Sequence, residues 1–195
     1  MYRWNEVAGR YIAPNGQFVS FETIRLYLDA TLDTSEQKVL SLARSLQSGK
    51  ITLQEWQLGM RDTLKSIHLA SSALAKGGWA QMSQADYGRV GFRLKEQYAY
   101  LQKFAKQIES GYLLDGRFLN RVQLYAQSGR LTYHMVQRSE MLMRGMTEEQ
   151  NVLGAADHCT ECVSETARGW VPIGDLVLVG QRICMTNCRC SIRFK

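Results

Sequence analysis

All five cysteines of the 195-residue chain lie close together near its C-terminal end, and no residue before Cys159 is a cysteine. Thiolates collect in one place for three common reasons, namely disulfide bonds, metal binding and catalysis. The cluster is therefore the part of the sequence best able to do chemistry. Its members are Cys159, Cys162, Cys184, Cys188 and Cys190.

The spacing of these cysteines is typical of a structural zinc site. Cys159 and Cys162 form a Cys-x-x-Cys pair, which can aim two sulfurs at one point, and a second group about twenty residues later supplies the remaining ligands. Cys184 and Cys188 would complete a tetrahedral shell. Cys190 lies two residues beyond Cys188, so on an extended segment it faces the same side and can replace either one. We therefore predict one structural zinc, held by four of the five cysteines.

His158 is a sixth candidate donor beside the Cys-x-x-Cys pair. Because two adjacent residues are awkward ligands for a single metal ion, we expect His158 beside the ligands rather than among them. Disulfide bonding of four cysteines, with one left over, is the main alternative to the metal. The odd number of cysteines and the lack of a secretion signal argue against it.

No catalytic motif accompanies the cluster. A zinc deaminase needs His-x-Glu followed by Pro-Cys-x-x-Cys, whereas here two residues separate His158 from Glu161 and no Pro-Cys follows. The sequence has neither a phosphate-binding loop nor a Gly-x-Ser-x-Gly element. His68 and His134 fall within helical stripes and are expected to be core or surface residues. We therefore do not expect an enzyme.

Composition sets wider limits on the chain. The formal net charge is +6 and the isoelectric point is about 9.1, which permits contact with nucleic acid or with an acidic partner but demands neither. No apolar run approaches the roughly 20 residues that a membrane span requires, and the N-terminus does not resemble a signal peptide. We expect a soluble protein that is made in the cytoplasm and does not contact a membrane.

The first twenty residues predict a β-hairpin arm. Two aromatic and apolar runs flank the turn Pro14-Asn15-Gly16, and Asn-Gly between such runs is a strong hairpin signal. An isolated hairpin is marginal in water, so its aromatic residues must pack on the helices of this chain or on a partner.

Residues 21–150 predict a helical domain of about six amphipathic helices. We expect a break at Asp33, a restart capped by Thr34, and interruptions at Gly88 and Gly91. Thr147 begins a further capping signature. The predicted helices span Ser20–Leu32, Thr34–Gly49, Thr52–Gly77, Ser83–Gly111, Arg117–Ser128 and Leu131–Met146.

Residues 151–195 predict a small α+β module that a zinc ion holds together. Ser191–Phe194 alternates polar and apolar residues, as a half-buried strand does. A module of this size has too little core to be stable alone, and a metal would supply the missing stability. The predicted fold is thus mainly α, with a multi-helix body, an N-terminal hairpin arm and a Cys-rich C-terminal module.

The C-terminal motifs resemble a known family. The order is Cys159-x-x-Cys162, then Gly169-Trp170-Val171-Pro172, then Cys184-x-x-Asn187-Cys188-Arg189-Cys190. It resembles the C-terminal signature of phage minor head proteins, the head morphogenesis family related to the phage Mu F protein. The resemblance covers roughly residues 154–195. Met185-Thr186 stands where many members of the family have His-Pro, and Cys184 lies one residue before the position of that histidine.

The resemblance implies a structural component of the virion head, made in the host cytoplasm, that contacts the major capsid or portal protein. It implies no established catalytic activity and no small-molecule substrate. A capsid cement or decoration protein is an alternative. A nucleic-acid-binding module that contacts packaged DNA is another, although a solvated basic face or one meeting an acidic capsid neighbour is favoured over it. The basic residues concerned are Arg182, Arg189, Arg193 and Lys195 in the tail and Arg117, Arg121, Arg130 and Arg138 in the body.

Overall fold

A computed structural model describes residues 2–195, so Met1, the first residue of the predicted arm, lies outside the described residues. The fold is mainly α, as predicted, with a small sheet at each end of the chain. The strands are β1 Arg3–Asn5, β2 Arg10–Ile12, β3 Phe18–Val19, β4 Glu148–Val152, β5 Val171–Pro172 and β6 Ser191–Phe194. The helices are α1 Phe21–Gln47, α2 Leu53–Lys76, α3 Gln84–Glu109, α4 Gly116–Gln127, α5 Gly129–Met143 and α6 Thr160–Ala167.

The first helix is continuous, so the predicted break at Asp33 is wrong. Its N-cap is Ser20, whose side chain accepts a hydrogen bond from the Thr23 amide. Thr34 does not cap a new helix, because its hydroxyl donates to the Ala30 carbonyl one turn earlier, at 2.8 Å. Apolar residues of α1 stay buried on both sides of this point, so burial of one long stripe outweighs the local capping preference. Among the described residues, the body therefore contains five helices rather than six.

Two of the predicted helix starts are confirmed, whereas the interruption predicted at Gly88 and Gly91 is wrong. Thr52 and Ser83 each begin a helix with a reciprocal capping box. Gly88 and Gly91 do not interrupt α3, because tertiary packing offsets the modest cost of a glycine within a helix. The residues after the capping signature at Thr147 form strand β4, which pairs with β5 and β6.

Helix α2 forms the centre of the body and packs against α1, α3 and α5. Its Trp56 is fully buried, with its ring centroid 5.8 Å from those of Phe104 on α3 and Phe118 on α4. His68 is also buried on α2, where its Nδ1 lies 2.7 Å from the Thr132 hydroxyl. Burial lowers the pKa of His68 to about 4, so its ring is neutral at neutral pH. It is a core residue, as expected.

The N-terminal arm packs on the helices of its own chain. Strands β1, β2 and β3 form an antiparallel sheet, and the predicted turn at Asn15-Gly16 joins β2 to β3. Trp4 and Tyr11 are buried, and the Tyr11 hydroxyl donates to the Ala75 carbonyl at the end of α2. The Trp4 amide donates to Gly77, which has a left-handed backbone and lies so close that a Cβ there would be 2.3 Å from the Trp4 Cβ.

The C-terminal module contains the antiparallel sheet β5-β4-β6 and helix α6. Strand β6 has the alternation predicted for it, since Ile192 is buried while its neighbours are more exposed. The apolar run Leu176–Val179 forms a loop, in which Leu176, Leu178 and Val179 are buried. Leu131 of α5 packs with Leu178, Val179 and Ile192, so the body completes the small core of the module.

No helix within residues 2–195 combines the length and the hydrophobicity needed to cross a bilayer.

The module is also fixed to the body by one buried carboxylate, Glu149 of β4. The guanidinium of Arg138 on α5 donates two hydrogen bonds to it, both at 2.8 Å. The backbone amides of Gly174 and Leu176 donate to the same carboxylate at 3.1 and 3.2 Å. Because Glu149 is 0% exposed, its charge depends entirely on these four donors.

Replacing Glu149 should cost far more stability than replacing its neighbour Glu148. Glu149→Gln leaves the Arg138 charge without its partner, and we expect a loss of about 3 kcal/mol in the free energy of unfolding. Glu148 only forms a half-exposed pair with Lys195, so Glu148→Gln should cost less than about 1 kcal/mol. Urea denaturation of both variants measures the difference, and equal losses would contradict the assigned role of Glu149.

Two helical glycines should respond to alanine with opposite signs. A Cβ on Gly129, the first residue of α5, would lie 2.4 Å from Ile67 Cγ2 and 2.9 Å from Leu32 Cδ2. Gly129→Ala should therefore destabilise the protein by about 1–3 kcal/mol. A Cβ on Gly88 meets no atom within 4 Å, so Gly88→Ala should stabilise α3 by about 0.5–1 kcal/mol. Thermal unfolding tests both, and stabilisation by Gly129→Ala would show that the α2–α5 contact is looser than described.

Candidate metal centre

Helix α6 positions the Cys-x-x-Cys pair. Cys159 is the N-cap residue, and its sulfur accepts a hydrogen bond from the Cys162 amide at 3.4 Å. Cys162 lies in the first turn and is buried. The N-cap role of Cys159 thus directs its sulfur over the start of the helix, toward the same side as Cys162.

The other three cysteines come from the segment that leads into β6. Cys184 and Cys188 flank a single 3-10 turn, Met185–Asn187, and Cys190 immediately precedes the strand. Met185 has a φ of 48°, the only positive φ at a non-glycine residue among residues 2–195. Such a conformation is unfavourable for a long side chain and persists when its surroundings enforce it. Here it reverses the chain so that both flanking cysteines face Cys162.

Cys162 is the centre of the resulting cluster. Its sulfur lies 3.5 Å from the sulfurs of both Cys184 and Cys188. The donor atoms of Cys159, Cys162 and Cys184 all lie within 4.8 Å of one another. The donor atoms of His158, Cys162 and Cys190 form a second such group. The structure therefore brings together all five predicted cysteines, as free thiols, and the cluster can hold a metal ion.

His158 lies among the donor atoms, closer to them than we expected. Its Nδ1 is 3.8 Å from the Cys190 sulfur, and its Nε2 is 2.8 Å from the Gly154 carbonyl oxygen. A carbonyl only accepts hydrogen bonds, so Nε2 carries the proton in the neutral ring and Nδ1 keeps its lone pair. This is the tautomer of a metal-binding histidine.

A buried arginine supplies positive charge to the sulfurs. Arg182 is 1% exposed, and its Nη1 donates to the Asn151 side-chain oxygen at 2.8 Å and contacts the Cys162 sulfur at 3.8 Å. Its Nη2 has no hydrogen-bond partner within residues 2–195, and none of the groups bonded to its other nitrogens is a carboxylate. A buried guanidinium needs a counter-charge. Thiolates at Cys162 and its neighbours would provide one once a bound metal ion deprotonated them.

The environment shifts the pKa values of the thiols in different directions. The hydrogen bond from the Cys162 amide lowers the pKa of Cys159 to about 7, as is usual for a thiol at a helix N-terminus. Burial raises the pKa of Cys162. A hydrogen bond from Cys190 lowers the pKa of Cys188 and raises that of Cys190. Metal binding would deprotonate the ligating thiols, including those whose pKa is raised in the free protein.

Several residues that support the cluster were not predicted from the sequence. Asn151 on β4 donates to the Cys162 carbonyl oxygen and to the Thr166 hydroxyl while it accepts from Arg182. A Cβ on Gly154 would lie 2.1 Å from the Arg189 carbonyl oxygen, so only glycine allows these two segments to meet. The sequence contains no motif that marks Asn151 or Gly154. We predicted that Arg182 belongs to a basic tail. Its burial could not be predicted, because it depends on the fold alone.

Cys162→Ser should unfold the module and leave most of the helical signal intact. Cys162 contacts more of the other sulfurs than any other cysteine, whereas α1–α5 have a separate core. Far-UV circular dichroism measures the helices, and limited proteolysis with mass spectrometry detects opening of residues 151–195. Val163→Ser is the matched control, because Val163 is the adjacent residue of α6 and is exposed. Loss of the whole helical signal in Cys162→Ser would show that the module is not separate from the body.

Comparison with known proteins assigns the chain to no family. No protein-family model, no curated protein and no solved structure matches it. Its function is therefore inferred from the cluster and surfaces of the chain itself.

Proposed function

We propose that this chain is a structural component of a tailed-phage head, of the minor head or head morphogenesis type. In this proposal the helical body contacts capsid or portal subunits, and a zinc ion stabilises the C-terminal module. In this role the chain catalyses no reaction, uses no small-molecule substrate and is part of the virion. The observation that carries the proposal is the packing of every cysteine of the family-like motif into one cluster around Cys162.

The donor set favours zinc in a structural site. Thiolates are soft ligands, and zinc takes four of them in tetrahedral geometry. Cys162, Cys188 and Cys190 are buried, and Cys159 and Cys184 are half-buried. Because more than four donors surround the site, protein atoms can fill a tetrahedral shell without water. A shell that excludes water stabilises a fold rather than activating a nucleophile.

The surface of the body offers apolar contacts that suit an assembly protein. A groove of about 420 Å³ lies between α3 and α5, lined by Val90, Phe92, Met135 and Val136. Phe92 is 69% exposed. Large exposed aromatic side chains beside an apolar groove are typical of surfaces that bind another protein. This groove is the part of the body that we expect to contact a neighbouring subunit.

Several of the basic residues considered for DNA contact are buried or paired with a carboxylate. Arg130 and Arg182 are buried, and Arg138 is paired with Glu149. Lys195 pairs with Glu148 and lies over the Trp170 ring. Phosphate contacts need exposed, uncommitted cations. We therefore favour protein contacts, either at the portal or as capsid cement, over binding to packaged DNA.

The proposal predicts that the chain is present in purified phage particles. Quantitative mass spectrometry of particles from the phage that encodes the chain should detect it. A copy number near that of the portal indicates a minor head protein, and one near that of the major capsid protein indicates cement. Phage carrying Cys162→Ser should assemble fewer intact heads by electron microscopy, whereas phage carrying Val163→Ser should assemble normally. Particles that lack the chain and heads that are unaffected by Cys162→Ser would overturn the proposal.

A further inference from the structure

We propose that the cluster holds two zinc ions that share the thiolates of Cys162 and Cys188, with His158 as a ligand of the second ion. This inference rests on the proposed metal-stabilised module. It differs from that proposal in the number of ions, in the bridging sulfurs and in the role of His158.

The donor atoms form two groups that meet at Cys162. Cys159, Cys162 and Cys184 make one group, and His158, Cys162 and Cys190 make the other. A tetrahedral zinc needs four donors, so each group lacks one. The sixth donor of the cluster, Cys188, belongs to neither group.

Cys188 lies beside the sulfur at which the two groups meet. Its sulfur is 3.5 Å from the sulfur of Cys162, the one donor that the two groups share. If Cys162 and Cys188 bridge, each ion gains two shared sulfurs and two donors of its own. Six donors then fill two tetrahedral shells that share an edge. A single ion would leave two of the six donors without a metal.

The spacing of the donors matches such shells. A zinc–sulfur distance of about 2.3 Å in a tetrahedron places two sulfurs about 3.8 Å apart. The Cys162 sulfur lies 3.5 Å from those of Cys184 and Cys188, and the Cys190 sulfur lies 3.8 Å from His158 Nδ1. Only small movements would bring these atoms to ligand spacing.

Two ions also explain why His158 and Cys159 are adjacent. Neighbouring residues are poor ligands for one ion, but they can bind two different ions on opposite sides of a bridge. Cys159 belongs to the first group and His158 to the second. The hydrogen bond from His158 Nε2 to the Gly154 carbonyl keeps Nδ1 free for the metal.

The charge of a two-ion cluster suits its surroundings. Five thiolates exceed the charge of two divalent ions by one negative charge, since the histidine ligand is neutral. Arg182, whose Nη1 contacts the bridging Cys162, supplies one buried positive charge. The cluster and Arg182 together are then neutral, which lowers the cost of burying them.

Metal analysis of the purified full-length protein tests the inference. After reconstitution with zinc alone and removal of excess metal, inductively coupled plasma mass spectrometry should find two zinc ions per chain. One zinc per chain would overturn the two-ion site and leave the single structural zinc standing. No bound zinc would overturn both, so the failure of this inference and the failure of the proposed metal site are distinguishable.

Substitutions identify which donors belong to which ion. His158→Ala and Cys159→Ser should each reduce the zinc content from two ions to one, and Val163→Ser should leave it at two. Retention of two ions by His158→Ala would overturn its role as a ligand. Because a variant can lose metal by unfolding, the wild-type protein loaded with ¹¹³Cd provides an independent readout. Its NMR spectrum should contain two resonances coupled to each other through the bridging sulfurs, and two uncoupled resonances would overturn the bridge.

Discussion

The small apolar core of the C-terminal module is the constraint on which the rest of this structure depends. Apart from the sulfurs, its buried residues are Leu178, Val179 and Ile192, together with Leu131 from the body. A core of this size cannot offset the conformational entropy lost when the module folds. The module therefore needs other sources of stability, and the chain provides two, a docking surface on α5 and a cluster of cysteines.

The docking surface is largely polar and buried. Arg138 reaches from α5 to Glu149, and the same carboxylate orders the loop that carries Leu176. Buried charges of this kind are costly unless each is fully paired, and here Glu149 has four donors. Such pairing fixes the orientation of β4 relative to α5 more strictly than apolar contact would. The orientation matters because β4 also carries Asn151, which positions both Cys162 and Arg182.

The cysteine cluster and the body are coupled through Asp29 of α1. Its carboxylate accepts a hydrogen bond from Arg130 at the start of α5 and lies 3.6 Å from Arg189, the residue between Cys188 and Cys190. Movement of the sulfurs would therefore disturb a contact between two helices of the body. If the chain is an assembly protein, as we propose, this connection would let a metal ion bound by the cysteines stabilise the surface that the body presents to its neighbours.

The sequence by itself determined the features that depend on local chemistry. The capping boxes at Thr52 and Ser83, the turn at Asn15-Gly16 and the alternation in β6 follow from side chains within a few residues of each other. The spacing of the cysteines likewise indicated a shared site, since Cys159 and Cys162 occupy the first turn of one helix.

Only the tertiary structure decided the features that depend on distant residues. Helix α1 continues through Asp33 because its apolar stripe is buried against α2 and α4, and residues 148–152 form a strand because β5 and β6 pair with them. Arg182 is buried, rather than exposed in a basic tail, because Asn151, which is far away in sequence, accepts its hydrogen bond. His158 joins the sulfurs because Gly154 lets its segment approach Arg189. Each of these features depends on the burial of groups that the fold brings together. That burial cannot be predicted from the local sequence, because the residues that cover each group are distant in the chain.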